Sequence, residues 1–87
     1  DKERAALHMK IGTGYLAQGL NPQAMSELLK AERLDPENPR ILNNLGLAYH
    51  VRGRHKQAEA KFREAIRLDK SYSDAKNNLA RNLIDQN

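Results

Sequence analysis

The sequence predicts an all-α fold: antiparallel helical hairpins stacked side by side into a superhelix, five helices in the order A-B-A-B-A. Three observations predict it. A pattern returns after about 34 residues: Ile11-Gly12, Tyr15, Gly19, Ala24, Ala31, Leu34 and Asp35 are matched by Leu45-Gly46, Tyr49, Gly53, Ala58, Ala65, Leu68 and Asp69. Its opening half returns again as Leu79-Ala80 and Leu83. Within each copy, small and apolar residues recur at helical spacing and no strand-like alternation competes. Turn and stop signals at Gly19, Asp35-Pro36 and Gly53 then cut the chain into segments of helix length.

The first helix, Asp1 to Gln18, carries Leu7, Ile11, Gly14-Tyr15 and Gln18 at three-four spacing and ends at Gly19. Asn21-Pro22 opens the second helix, read as an asparagine cap followed by a proline at the first helical position, and Asp35-Pro36 stops it after Leu34. Asn38-Pro39 repeats that device for the third helix, which ends at Gly53. The fourth runs from His55 to Leu68. Ser71, with Asp74 three residues on, reads as a capping box for the fifth, Tyr72 to Asp85. Gly12 and Gly46 let a neighbouring helix approach closely, because no side chain keeps the backbones apart, and Tyr15 and Tyr49 fill the space one turn on. Ala24, Ala31, Ala58 and Ala65 lay small groups along one stripe, with Leu28 and Phe62 filling the gap between hairpins.

This set of residues resembles the tetratricopeptide repeat, over nearly the whole chain. The likeness divides a single domain, 1–87, into a first repeat at 5–38, a second at 39–72, and 73–87 as the first helix of a third repeat or a capping helix. Four residues depart from the family pattern. His8 and Leu42 replace a bulky aromatic, Lys70 stands where the first copy has Pro36, and Gly14 replaces the usual alanine. The outer side of the last helix is expected to be partly polar, through Lys76, Asn77, Arg81, Asn82 and Asp85, while Leu83 and Ile84 are more apolar than a cap needs. Arg81 to Asn87 contains no helix-stopping signal, so the expectation is a piece of a longer array, with possible homo-oligomer formation through the last helix.

Composition excludes several function classes. The 87 residues make one small domain, and the absence of cysteine removes disulfides, thiolate nucleophiles and cysteine metal sites. No apolar run approaches the roughly 20 residues of a membrane span, so membrane insertion is not expected. A net charge of +4 is too small to argue for nucleic acid, and Phe62 and Tyr72, the aromatics available for stacking, are expected to pack. Arg52, Arg54, His55, Lys56, Lys61, Arg63, Arg67 and Lys70 make the second hairpin basic, but Glu59 and Glu64 interleave, giving Glu59–Arg63 and Glu64–Arg67 pairs on a solvated face. That face is the alternative docking patch for an acidic protein or an anionic membrane surface. His8, His50 and His55 lack the i, i+4 spacing of a helical zinc pair, so no metal is expected. Gly12-Thr13-Gly14 lies inside a helix with no strand before it, which argues against phosphate binding, and no cofactor is expected. Ser26, Ser71 and Ser73 have no base or orienting group beside them, so the chain is not expected to be an enzyme.

The resemblance implies a concave face lined by the first helix of each hairpin. Counting from the packing residues, the inward set is Met9, Lys10, Thr13, Leu16 and Ala17 on the first helix. On the third it is Arg40, Asn43, Asn44, Leu47, His50 and Val51, and on the fifth Asp74, Asn77, Asn78 and Arg81. Apolar patches and paired amides suit an extended or helical peptide, with the asparagines gripping its backbone. A well-known subclass of the family holds a terminal carboxylate with basic residues. The matching positions here hold Met9, Thr13, Asn44, Asp74 and Asn78, of which only Asn44 agrees and Asp74 has the opposite sign, so that clamp is not expected.

The function implied is a non-catalytic protein–protein interaction scaffold that takes a peptide or partner helix in its groove. The alternative is a structural, self-assembling repeat fragment. The runs GTGYLAQG, LNNLGLAYHVRG and ARNLI are loosely similar to bacterial outer-membrane lipoproteins that help assemble type IV pilus secretins, although the lipidated cysteine is absent. That likeness implies a periplasmic envelope assembly factor; without it the default compartment is cytoplasmic.

Overall fold

Two turns of the same geometry fold the chain into hairpins. In the computed structural model, which describes residues 1–86, Gly19 and Gly53 both have φ of +76°, the left-handed region that costs a glycine nothing. At the first turn the Gly19 N–H donates to the Leu16 carbonyl (3.1 Å) and the Leu20 N–H to the Tyr15 carbonyl (2.9 Å). At the second, Gly53 donates to His50 (3.0 Å) and Arg54 to Tyr49 (3.0 Å). This pair of nested bonds is a Schellman motif, and it satisfies carbonyls that the helix end would otherwise orphan.

The helices are α1 (Lys2–Ala17), α2 (Asn21–Leu34), α3 (Pro39–Val51), α4 (His55–Leu68) and α5 (Ser73–Gln86), and there is no strand among the described residues. Asn87 lies outside the described residues. Asp1 caps α1, its carboxylate accepting from Glu3 N and Arg4 N, and Asn38 caps α3 in the expected way, accepting from Arg40 N (2.9 Å). Two expected caps are corrected. Asn21 is already helical and caps nothing; the N-cap is Leu20, without a side-chain bond. The Schellman turn is so short that the residue completing it also starts the next helix, and Arg54 does the same before α4. Ser71 does not cap α5 either. Its hydroxyl donates to Asp69 Oδ1 (2.8 Å), and its N–H donates to the same oxygen (3.1 Å), so it closes the preceding turn.

The α1 and α2 helices pair, as do α3 and α4, and α5 lies on α4; α1 also touches α3, and α3 touches α5. The extents of 36 × 28 × 16 Å fit two helix layers, α1, α3 and α5 in one and α2 and α4 in the other. A Cβ placed on Gly46 would lie 2.5 Å from Phe62 Cδ1 and 2.8 Å from Cζ; on Gly12 it would lie 2.8 Å from Leu28 Cγ. Leu28 and Phe62, expected to fill space between hairpins, thus each lie over the glycine of their own hairpin. Leu28 also joins Met25, Ile41 and Leu45 in the cluster that ties α2 to α3. Ala24, Ala31, Ala58 and Ala65 are fully buried, as their spacing predicts.

Register explains the rest. Ile41, Leu45 and Ala48 are all buried at the junction of α3 with the preceding hairpin. One period later these slots hold Ala75, Leu79 and Asn82, so Asn82, expected at the surface, is fully buried against α4. One period earlier they hold Leu7, Ile11 and Gly14, and there the same face is open, with Leu7 56% and Ile11 39% exposed.

The two helical glycines therefore predict opposite outcomes. Gly14 has open space around its Cα, so Gly14→Ala stabilises the domain by roughly 0.5–1 kcal/mol through helix propensity. Gly46→Ala collides with the Phe62 ring and costs about 1–3 kcal/mol. Urea denaturation followed by circular dichroism measures both.

Candidate functional site: the concave groove

A cavity of ≈ 840 Å³ opens on the layer formed by α1, α3 and α5. On α1 its wall includes Ala6, Met9, Lys10 and Thr13, related by three- and four-residue steps and so on one side of the helix, together with Leu7. On α3 the wall is Arg40, Asn43, Asn44 and Leu47, and on α5 it is Asp74, Asn77 and Asn78. The structure thus brings together Met9, Lys10, Thr13, Arg40, Asn43, Asn44, Leu47, Asn77 and Asn78 from the predicted inward set.

Leu16, His50 and Arg81 lie outside the walls, as do Ala17 and Val51. Leu16 is partly buried against the core cluster of the first hairpin, which withdraws it from the groove. Arg81 is exposed on α5 beyond the cavity. His50 is drawn away by Asn82. The Asn82 amide donates to the His55 carbonyl (2.8 Å), which fixes its Oδ1 as an acceptor. That oxygen receives Nδ1–H from both His50 (2.8 Å) and His55 (2.9 Å), whose rings meet edge to face. His50 Nε2 also lies 3.2 Å from Asp85 Oδ2. The cluster pins α5 to the turn between α3 and α4, so both histidines have a structural task. His8 has one too: its Nδ1 bonds Glu27 Oε1 (2.7 Å) across the first hairpin. Among the described residues, no group of three or more metal-ligating side chains converges.

Side-chain hydrogen bonds link neighbouring helices along the groove. The Thr13 hydroxyl donates to the Met9 carbonyl (2.8 Å), so its oxygen is free to accept from Asn44 Nδ2 (3.2 Å), joining α1 to α3. Asn78 Nδ2 donates to Asn43 Oδ1 (3.0 Å), joining α3 to α5. Asn43 is buried at 4% exposure, so it forms floor, whereas the wider exposure of Asn44 and Asn78 leaves them as wall. The expected ladder of amides is in this respect corrected: part of its donor capacity is committed between helices.

The sequence reading missed the wall residues Ala6 and Leu7, and it missed Tyr72, which it assigned to packing alone. Its ring packs against the Leu42, Ala65 and Ala75 cluster while the residue also lines the cavity. The available signal was register, since Tyr72 precedes α5 as Asn38 precedes α3. Burial pushes its phenol upward from the ordinary value, with the Asp74 carboxylate adding to the effect, while Arg40 and the Asn43 amide oppose it.

On the basic hairpin, the expected Arg63–Glu59 (2.8 Å) and Arg67–Glu64 (2.7 Å) pairs form, and Lys61 bridges to Glu32 on α2. Arg52, Arg54 and Lys56 are exposed, and Phe62 is fully buried, so this face offers charge without a stacking aromatic.

The comparisons follow this geometry. A tetratricopeptide repeat family model matches residues 9–75. Among solved structures, the chain is similar to the first TPR of Spaghetti (RPAP3) bound to HSP90 peptide SRMEEVD, at 26% identity and a TM-score of 0.93 over 97% of this chain and 67% of that one. It is also similar to the second TPR of Spaghetti (RPAP3) bound to the same peptide, at 25% identity and a TM-score of 0.90 over 95% of this chain and 77% of that one. No curated protein matches the chain by sequence.

A raised phenol pKa makes a pH prediction. The folded state holds the Tyr72 proton more tightly than the unfolded state, so the stabilisation is complete below pH 10.0 and is lost as pH rises through the folded value. Tyr72→Phe removes that contribution, and its stability falls less steeply above pH 10.0 than that of the parent in thermal melts across the alkaline range.

Proposed function

The chain belongs to the tetratricopeptide repeat family, and from that premise we propose that it is a non-catalytic interaction scaffold that binds an extended peptide in the groove of α1, α3 and α5. One observation carries the reading: a single cavity of ≈ 840 Å³ crosses all three helices of one layer. Two structurally similar domains are peptide complexes, which supports the same reading. The cavity combines apolar anchoring surface at Met9, Leu7 and Leu47 with polar groups able to meet a peptide backbone, the usual composition of a recognition groove. On this reading residues 5–38 and 39–72 are the two repeats, and α5 opens a third or caps the second.

The binding set proposed is Met9, Lys10, Thr13, Arg40, Asn44, Leu47, Asn77 and Asn78, with Asn43 and Tyr72 as support. A second reading, association of chains through α5, is favoured by the exposure of Ala80, Leu83 (36%) and Ile84 (73%) on the side away from α4. Sedimentation velocity separates the two readings, since Ile84→Lys dissolves an α5-mediated dimer and leaves groove binding intact.

The groove itself is tested with peptides selected from a library of acetylated, amidated decapeptides. Titrated into the ¹⁵N-labelled domain, they are expected to shift amides of α1, α3 and α5 more than those of α2 and α4. Leu47→Asp is expected to weaken them about tenfold or more, the scale of losing a central anchor, with an unchanged circular dichroism spectrum. Shifts concentrated on α2 and α4 exclude the groove.

A further inference from the structure

The hydrogen-bond bookkeeping of the groove, taken with the reading that a peptide lies there, limits what that peptide presents. Asn44 spends an amide hydrogen on Thr13, and Asn78 spends one on Asn43. Thr13 has its own hydrogen committed to the Met9 carbonyl. No protein donor reaches the Asn44 or Asn78 side-chain oxygen among the described residues, and neither oxygen is sealed from solvent, so both are open acceptors in residues that line the cavity. Asp74 adds a carboxylate to the same wall and has no ion-pair partner among the described residues, although Arg40 lines the cavity too. The cations of the cavity, Lys10 and Arg40, belong to α1 and α3, so the wall changes sign towards α5.

We propose that the groove binds an internal segment of an extended peptide and seats a lysine or arginine side chain of that segment at the corner formed by Asp74 and Asn78. A carboxylate at this corner repels a chain terminus of like charge and attracts a cationic donor, and the Asn78 oxygen accepts a second hydrogen from it. The Tyr72 side chain lines the cavity with Asp74 and occupies volume that screening water would otherwise fill. Peptide N–H groups passing α3 meet the Asn44 oxygen, which requires no free end.

The test measures decapeptides selected from two libraries, one with amidated and one with free-acid C-termini, against the intact chain by fluorescence anisotropy. The expected binders share one lysine or arginine position and bind equally well with an amide or a free acid at the C-terminus. Asp74→Asn weakens them by about tenfold, as loss of a charge-assisted hydrogen bond requires. Asp74→Lys moves the preference at that position to aspartate or glutamate, an outcome that a purely helix-stabilising role for Asp74 would not produce. Binders that lose affinity with Leu47→Asp but lack a basic position, need a free carboxylate, or ignore Asp74→Asn overturn this assignment while leaving the groove in place. An absence of any binder sensitive to Leu47→Asp overturns the groove reading and this assignment with it.

Discussion

The close approach of α3 and α4 at Gly46 is the constraint on which the rest of the structure depends. The Phe62 ring occupies the volume a side chain at position 46 would need, and Leu28 does the same over Gly12. Aromatic and aliphatic knobs over bare backbone bring the two helices of each hairpin together, and fully buried alanines on α2 and α4 hold that spacing along their length. The Schellman turns at Gly19 and Gly53 supply the matching reversal of direction without a long loop. With hairpins of one shape, the helices α1, α3 and α5 fall on the same side, and the cavity is a consequence of their alignment.

Polar contacts then give the layer its definition. Asn44 to Thr13 and Asn78 to Asn43 connect the three helices of the layer, and Asn82 fastens the last helix through two imidazoles and a carbonyl. Every buried side-chain nitrogen and oxygen in the described residues has a partner, so these bonds cost no stranded polar group. Their arrangement is directional: each of Asn44 and Asn78 spends an amide hydrogen between helices and keeps its oxygen without a protein donor among the described residues.

The helices and their order were legible because repetition at a fixed period multiplies weak local signals. Gly12 with Gly46, Gly19 with Gly53, and the four alanines each name a packing role that the other copy corroborates. Most of the groove wall was legible for the same reason, since the inward side of a helix follows from the packing side. The failures share a cause. Asn21, Ser71, His50 and Asn82 are polar residues whose partners depend on distances between elements, and periodicity carries no information about those. Asn21 resembles a cap until the turn before it proves too short to need one, and Asn82 reads as surface until register places it in the slot that Ala48 fills. Tyr72 was assigned to packing, which is correct for its ring and silent about its hydroxyl.

An aromatic ring lying directly on helix backbone sets the hairpin geometry, and nuclear magnetic resonance tests this most directly. With Phe62 stacked on Gly46, the Gly46 Hα resonances are displaced upfield by the ring current and give strong cross-relaxation peaks to the Phe62 ring protons. Gly46 Hα shifts at ordinary helical values, with no such peaks, would contradict it.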